Sequence, residues 1–348
     1  MAKVEKERLP VKVFISKVLA GTALGTIIAL IPNAILTAIL SYVSDNPVAA
    51  IIIQAAVTFQ LATPLIIGGL IALQFNLKPA EMMVTAGAAF VGSGVIKLVD
   101  PSTYVGAGTG DIINIMITAS VAVLLIRAIG DKFGSVAIIA LPIFVGIGAG
   151  VIGMLTLPYV NQVTVGIGAT INKFTELQPI LMSVLIACSF AALIISPITT
   201  VGISLAIQIS GVSAGAAAMG IAATTIVLVI NSWKVNESGV TLAIALGGMK
   251  TMMPNLFRTP IILLPCLFTA AISSIPVTIF GVSGVPSSAG FGLVGLVGPL
   301  ASLDAGLGIV PLIISWFIVP ILAAFLAQFL FEKVFKLYDR ENVFKFLG

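Results

Sequence analysis

The sequence contains no histidine, only two cysteines and few charged residues. Histidine is the side chain that most often relays protons and binds metals near neutral pH, so its absence leaves such roles to carboxylates, lysines and hydroxyls. Cys188 and Cys266 each lie in an apolar run, which is typical of small core residues rather than of a disulfide, a metal site or a reactive thiolate. We therefore expect no metal site, no cofactor and no catalytic nucleophile in this chain.

Charged residues are too scarce to cover a soluble domain. They make up 9% of the 348 residues, whereas soluble domains carry about 25%. Several apolar runs reach the roughly 20 residues needed to cross a bilayer. The composition predicts an all-α polytopic membrane protein in the lipid bilayer, with about eight to ten transmembrane helices, some of them broken or re-entrant. The basic residues show no aromatic-basic pattern, so we expect no nucleic-acid partner.

Basic residues at the two ends predict the orientation of the chain. By the positive-inside rule they place both termini in the cytosol. We divide the chain into a cytosolic amphipathic segment (residues 1–17), a membrane-embedded domain (18–331) and a cytosolic basic tail (332–348). The basic residues are Lys3, Lys6, Arg8, Lys12 and Lys17 at one end and Lys333, Lys336, Arg340 and Lys345 at the other.

Two predicted helix breaks have similar sequences. Thr63-Pro64 and Ser196-Pro197 each precede a G-x-x-x-A-x-Q run. This similarity raises the hypothesis of an internal repeat, and in duplicated transporters the substrate site lies near mid-membrane where broken helices of the two halves meet. Between these breaks, we expect a loop at residues 100–110 and a segment along the membrane surface at residues 161–176.

The densest polar stretch runs from Asn231 to Pro260. A charged side chain in hydrocarbon costs roughly 2.5–3.5 kcal/mol on insertion scales, so it persists there when it faces a cavity, a partner or a ligand. The apolar run from Val240 to Met249 favours a segment that lines a central polar site, and the alternative is a cytoplasmic loop with two solvated short helices. The polar residues are Lys234, Asn236, Glu237, Ser238, Lys250, Asn255 and Arg258.

A glycine- and serine-rich segment, Gly281 to Pro299, is a second candidate for the site. Its backbone amides and hydroxyls suit a re-entrant hairpin that faces a polar solute, because irregular backbone at membrane depth must be buried in protein or line water. An external loop with a close-packed glycine helix is the alternative. Together with the break at Ser196-Pro197, these segments supply the predicted substrate ligands: Glu237, Asn236, Ser238, Lys234, Thr199, Thr200, Ser287 and Ser288.

The chain resembles a known family over nearly its whole length. The segments PITTVGISLAIQISGVSAGAAA, NESG, GGMKTMMPN and GVSGVPSSAGFG are similar to the membrane-embedded IIC component of the bacterial phosphotransferase system, in particular to the branch that includes membrane regulators of toxin production. Sugar-transporting members carry a Gly-Ile-Thr-Glu motif, whose glutamate binds the sugar, and a histidine in the site. Here the nearest acidic motif is Asn236-Glu237-Ser238-Gly239, which makes Glu237 the suggested counterpart of that glutamate.

The resemblance implies a sugar permease of the bacterial cytoplasmic membrane. It implies a homodimer, each chain having a scaffold domain and a mobile transport domain that moves by an elevator mechanism. It also implies separate IIA and IIB partners that carry a phosphohistidine and a phosphocysteine. Two other classes stay open: an ion-coupled carrier of a small organic anion, attracted by Lys234, Lys250 and Arg258, and a membrane sensor that binds a solute without transporting it.

Overall fold

The computed structural model describes residues 9–40, 43, 45–100, 102–130 and 132–347. Within these residues the protein is helical apart from one β-hairpin, which confirms the predicted all-α membrane fold. The N-terminal residues Lys3, Lys6 and Arg8, on which part of the orientation prediction rests, lie outside the described residues.

The N-terminal half contains seven of the described helices and the hairpin. Their bounds are α1 (Val11–Leu40), α2 (Pro47–Gln60), α3 (Thr63–Gln74), α4 (Pro79–Gly92), β1 (Ile96–Asp100), β2 (Thr103–Gly106), α5 (Ile112–Ile129), α6 (Ala137–Leu141) and α7 (Gly148–Phe174). A π-helical segment, Pro142–Ile147, joins α6 to α7.

The C-terminal half has more and shorter helices. Their bounds are α8 (Pro179–Ile195), α9 (Thr200–Ala206), α10 (Gly211–Ser232), α11 (Ser238–Ala245), α12 (Met253–Arg258), α13 (Leu263–Phe280), α14 (Pro286–Ala289), α15 (Val297–Asp304), α16 (Ile309–Ile313), α17 (Val319–Gln328) and α18 (Arg340–Phe344). Two π-helical segments, Ile314–Ile318 and Phe329–Val334, lengthen the last apolar helix.

Six helical stretches in the described part of the chain are long and apolar enough to cross a membrane. The bent pair α2 and α3 adds a seventh if it is counted as one span, and two shorter apolar helices, Pro179–Ile195 and Val294–Asp304, accompany them. The six stretches are Val11–Thr37, Ile112–Ile129, Ala137–Phe174, Gly211–Ser232, Pro260–Phe280 and Ile309–Val334.

Two local predictions are wrong. Ile96–Asp100 and Thr103–Gly106 pair as an antiparallel hairpin, with Lys97 opposite Val105, where part of a loop was predicted. The stretch 161–176 continues α7 without a break as far as Phe174, because it holds no proline to interrupt the helix. This stretch is therefore part of a 38-residue helical span that begins at Ala137.

The two proposed repeat breaks both occur, with different local geometry. α2 and α3 meet at a bend of 48°, and Pro64 lies in the first turn of α3. Proline is well tolerated there because the first helical N–H groups have no partner within the helix. Pro197, in contrast, lies in the link between α8 and α9. The internal repeat stays a prediction.

The halves have separate cores, and α1 packs on both. In the N-terminal core, the backbone of α1 packs closely on α3, since a Cβ added to Gly21 would lie 2.6 Å from the Ile71 Cα. The C-terminal core is larger and includes the fully buried Phe190, Met219 and Trp316. Leu19 and Ala23 of α1 pack on Met253 of α12, so α1 forms part of the contact between the halves.

Candidate functional site

The site is built from three irregular backbone segments, and the first is the break between α8 and α9. Proline restricts the residue before it to an extended backbone and has no N–H of its own. Accordingly Ser196, which precedes Pro197, is extended (φ −81°, ψ 170°) and ends α8. Thr199 then starts α9 as its N-cap, its Oγ1 accepting a hydrogen bond of 3.1 Å from the Gly202 N–H.

The second segment is the turn between α11 and α12, which carries Lys250. Gly247 has a φ of +124°, a conformation that favours glycine, and the chain then enters the 3₁₀ turn Met249–Met252. The Lys250 side chain is buried, with 7% of its surface exposed. Its Nζ donates hydrogen bonds to the carbonyl oxygens of Ser196 and Ile198, the latter at 2.9 Å. These hydrogen bonds link the second segment to the first. The two carbonyls are available because the break between α8 and α9 leaves them outside any helix.

The third segment follows α14 in the glycine-serine region. Thr200 is buried, and its Oγ1 donates to the Gly290 carbonyl at 2.8 Å. Gly290 packs so closely on the first segment that an added Cβ would lie 2.5 Å from the Val201 Cα. A Cβ on Gly292 would lie 2.8 Å from the Ile221 Cβ, and Ile221 is in the middle of α10. The three segments therefore meet at about half the height of a membrane-spanning helix.

A narrow cavity of about 70 Å³ lies where these segments meet. Its lining includes Thr199, Thr200, Lys250 and Gly290 from the C-terminal half, and α1 closes it with Thr26 and its neighbours Ile27, Leu30 and Ile31. A cavity of this size has room for a few water molecules. Its polar groups are hydroxyls, backbone carbonyls and one ammonium, and no carboxylate is among the described residues that line it.

The structure brings only part of the predicted site to this cavity. Thr199 and Thr200 line it. Ser288, near Gly290, is buried and bonds through its Oγ to the Val285 backbone, whereas Ser287 is exposed.

The predicted residues around the start of α11 lie elsewhere. Lys234, Glu237 and Ser238 are exposed, and Glu237 is the residue that precedes the first turn of α11. The Asn236 side-chain amide bonds instead to Ser232 Oγ and to the backbone of the C-terminal tail, with its Nδ2 2.7 Å from the Phe344 carbonyl oxygen. None of these four residues lines the cavity.

Thr26 was not predicted, and Lys250 was predicted as part of the polar stretch and as an attraction for an anionic solute but not as one of the eight substrate ligands. Lys250 had a detectable signal, because a lone lysine stands between Gly247-Gly248-Met249 and the apolar Met252-Met253. An isolated charge in a short apolar run, next to glycines that permit a tight turn, indicates a buried cation. Thr26 gives no such signal, since threonine is common in membrane helices.

A larger opening of about 610 Å³ lies in the N-terminal half. It is an open groove between α4 and residues 130–147, lined mainly by Gly, Ala, Val, Ile and Leu, with Lys78 and Glu81 at one end. The groove contains none of the predicted ligands. In the described residues no group of three or more Cys, Asp or Glu residues is arranged to hold a metal ion.

One comparison with known proteins gives a match. The family model described as "Phosphotransferase system, EIIC" matches residues 16–345, which is nearly the whole chain. The searches of curated proteins and of solved structures found no match.

Proposed function

Because this chain belongs to the phosphotransferase system EIIC family, we propose that it carries a sugar or a sugar-like polar solute across the membrane through the cavity beside Lys250. Membership of this family implies a multi-pass membrane permease that works with IIA and IIB proteins on a sugar-type substrate. The identity of the solute, the location of its site and the cytosolic position of both termini are our proposals.

The observation that supports this site is the meeting of three non-helical segments at one cavity. Lys250 links the turn after α11 to the break after α8, and Thr200 links that break to Gly290. Irregular backbone at membrane depth is stable only where it is buried in protein or lines a water-filled cavity. Transporters commonly bind their substrate where such broken helices meet.

The chemistry of the lining suits a polyol. Thr199 and Thr200 present hydroxyl oxygens as acceptors, and Lys250 presents an N–H donor that its two carbonyl partners leave unused. A sugar hydroxyl needs a partner for each of its polar atoms, because a buried group left unpaired costs about 1–3 kcal/mol. Matching of this kind is what allows a site to reject solutes that lack one hydroxyl.

The cavity has to widen before it admits a whole sugar. Its 70 Å³ is well below the roughly 300–1,000 Å³ of typical small-molecule sites. The N-terminal half supplies α1, which packs on α3, and Ile112 of α5, and the other walls come from the C-terminal half. We propose that the two halves move relative to each other, as an elevator mechanism requires, and that this movement separates α1 from Lys250.

We propose that IIB supplies the phosphoryl group, because the residues of this sequence offer no phosphoryl carrier. The chain has no histidine, Cys266 is fully buried, and the half-buried Cys188 directs its Sγ to the Leu267 carbonyl. A thiol in an apolar environment is a poor nucleophile because the thiolate is disfavoured there. The relay cysteine and histidine therefore belong to partners.

The test is transport by the purified full chain in proteoliposomes. We expect phosphorylated sugar inside the vesicles only when a cognate IIB protein, IIA, the general phosphotransferase enzymes and phosphoenolpyruvate are on the cytosolic side. Radiolabelled phosphate should not be retained by the chain itself. Uptake driven by an ion gradient with no phosphoryl donor would instead identify an ion-coupled carrier, and binding without any uptake would identify a sensor.

A further inference from the structure

Lys250 is a buried basic residue whose hydrogen-bond partners are all uncharged. Its Nζ contacts the carbonyl oxygens of Ser196 and Ile198, and in the described part of the chain no carboxylate forms an ion pair with it. Carbonyl dipoles offset only part of the cost of taking an ammonium out of water. A buried charge is normally paired, because the penalty for an unpaired ion amounts to several kcal/mol.

Two hydrogen-bond donors around the cavity have no partner in the described part of the chain. An ammonium has three N–H donors, and the two carbonyls use two of them. The Thr199 Oγ1 accepts from the Gly202 N–H, which leaves its own hydroxyl hydrogen without a partner among the described hydrogen bonds. The hydroxyls of Thr26 and Thr200 donate to backbone carbonyls. The lining thus offers one N–H and one O–H to a ligand and no carboxylate to receive a ligand's hydroxyl hydrogens.

We propose that the solute is an anionic polyol, a sugar acid, and that its carboxylate takes Lys250 as its counter-ion. This inference rests on the proposed function and specifies the class of its substrate. The carboxylate receives the third N–H of Lys250 and the hydroxyl hydrogen of Thr199, while the two backbone carbonyls keep the ammonium in place. The small size of the cavity fits this arrangement, because the carboxylate is the only part of the solute that has to enter it before the halves separate.

The first test compares three probes on the wild-type full chain in lipid nanodiscs at constant ionic strength. The probes are D-glucuronate, its uncharged methyl ester and D-glucose, and binding is measured by isothermal titration calorimetry. Because charge-assisted hydrogen bonds are about twice as strong as neutral ones, we expect glucuronate to bind at least about 10-fold more tightly than the ester. Equal affinity for glucuronate, ester and glucose overturns this inference and leaves the proposed sugar permease intact.

Three substitutions test whether the preference for glucuronate depends on Lys250. Lys250→Gln keeps a donor for the carbonyls but removes the charge, so the preference for glucuronate over its ester should disappear. The control Lys173→Gln makes the same chemical change at an exposed residue at the end of α7 and should keep the preference. If Lys250→Gln does not fold, Lys250→Arg retains the charge and should retain the preference.

The remaining outcomes contradict the inference in different ways. A preference that persists in folded Lys250→Gln protein places the counter-ion elsewhere. A preference that is lost in folded Lys250→Arg protein shows that charge is not the determinant. Glucose 6-phosphate serves as a fourth probe. If it binds more tightly than glucuronate, the anionic group of the solute is a phosphate ester and not a carboxylate. Failure of every charged and neutral sugar to bind overturns the inference together with the proposed function.

Discussion

Asn236 and Asn255 hold one short stretch of the C-terminal tail by hydrogen bonds that alternate along its backbone. The Asn255 Nδ2 donates to the carbonyls of Val343 (2.8 Å) and Lys345 (2.7 Å). The Asn236 Nδ2 donates to the Phe344 carbonyl, and its Oδ1 accepts from the Phe346 N–H, both at 2.7 Å. The last carbonyls of a helix have no partner within it, so these asparagines cap α18 from outside the helix.

This contact connects the tail to the candidate site. Asn236 lies just before α11, Asn255 lies in α12, and Lys250 lies on the segment between those two helices. The side chain of Phe344 is fully buried in the C-terminal core. Tail docking therefore holds residues on both sides of the segment that presents Lys250 to the cavity.

Replacing Asn255 with alanine should release the tail. The substitution leaves two backbone carbonyls without their donors, at an expected cost of about 1–3 kcal/mol for each buried group. We expect a lower thermal unfolding temperature in nanodiscs and faster amide hydrogen exchange at residues 343–347. Asn342→Ala is the control, because Asn342 is exposed and its amide contacts only the neighbouring Asp339 side chain. Equal exchange rates in both variants would show that the asparagine caps do not hold the tail.

The Tyr338 hydroxyl should make tail docking sensitive to alkaline pH. Burial raises the pKa of this phenol, and the nearby Glu332 carboxylate raises it further. A folded-state pKa above the unfolded value means that the protonated phenol stabilises docking fully below about pH 10, the ordinary tyrosine pKa. Docking should weaken as the pH rises above that value, which hydrogen exchange of the tail measures.

Tyr338→Phe is the matched control for this effect. The phenol oxygen is buried without a hydrogen-bond partner, so its removal should cost little stability or increase it. The variant should lose the response of tail exchange above pH 10 that the wild type shows, after correction for the intrinsic exchange rate. An unchanged response would assign the titration to another group.

The long helices were predictable because membrane spans depend on local composition. The apolar runs around α5, α10 and α13 identify those helices directly, and the Ser196-Pro197 break follows from the backbone limits of proline. The β-hairpin at residues 96–106 was missed, because its turn residues Asp100 and Ser102 are equally typical of a loop.

The site itself was only partly predictable, because it depends on contacts between distant segments. Thr200 and Gly290 are 90 residues apart, and Asn236 and Phe346 are 110 residues apart. Asn236 and Glu237 were predicted as substrate ligands because they are polar residues in an apolar chain. Nothing local distinguishes an asparagine that caps a distant tail from one that binds a solute.

Substitutions at Thr200 and at Glu237 should differ in their effect on the affinity for solute. Thr200→Val keeps the shape but leaves the Gly290 carbonyl at the cavity without its donor, so affinity for the best-binding sugar should fall about 5- to 10-fold for a net loss of roughly 1 kcal/mol. Glu237→Gln changes an exposed residue outside the lining and should leave affinity within about twofold.

Thr170→Val is the control for Thr200→Val. Thr170 is exposed on α7 and bonds only to the Gly166 carbonyl in its own helix, so its replacement removes the same hydroxyl away from the site. Calorimetry on the three variants decides between the two locations. A large loss in folded Glu237→Gln protein with no loss in Thr200→Val would place the site at the start of α11.

The close contact of Gly290 with Val201 allows a test of the cavity walls that replaces no polar side chain. An alanine Cβ at residue 290 would lie 2.5 Å from the Val201 Cα and 2.6 Å from its backbone nitrogen, so the backbone itself has to shift. This shift moves the Gly290 carbonyl away from Thr200 and separates the first segment from the third. We expect Gly290→Ala to bind solute at least about 10-fold more weakly, the equivalent of roughly 1.4 kcal/mol. Gly166→Ala is the control, because a Cβ there meets no atom within 4 Å and alanine favours a helix. If folded Gly290→Ala protein binds as well as Gly166→Ala, the solute site does not lie between these segments.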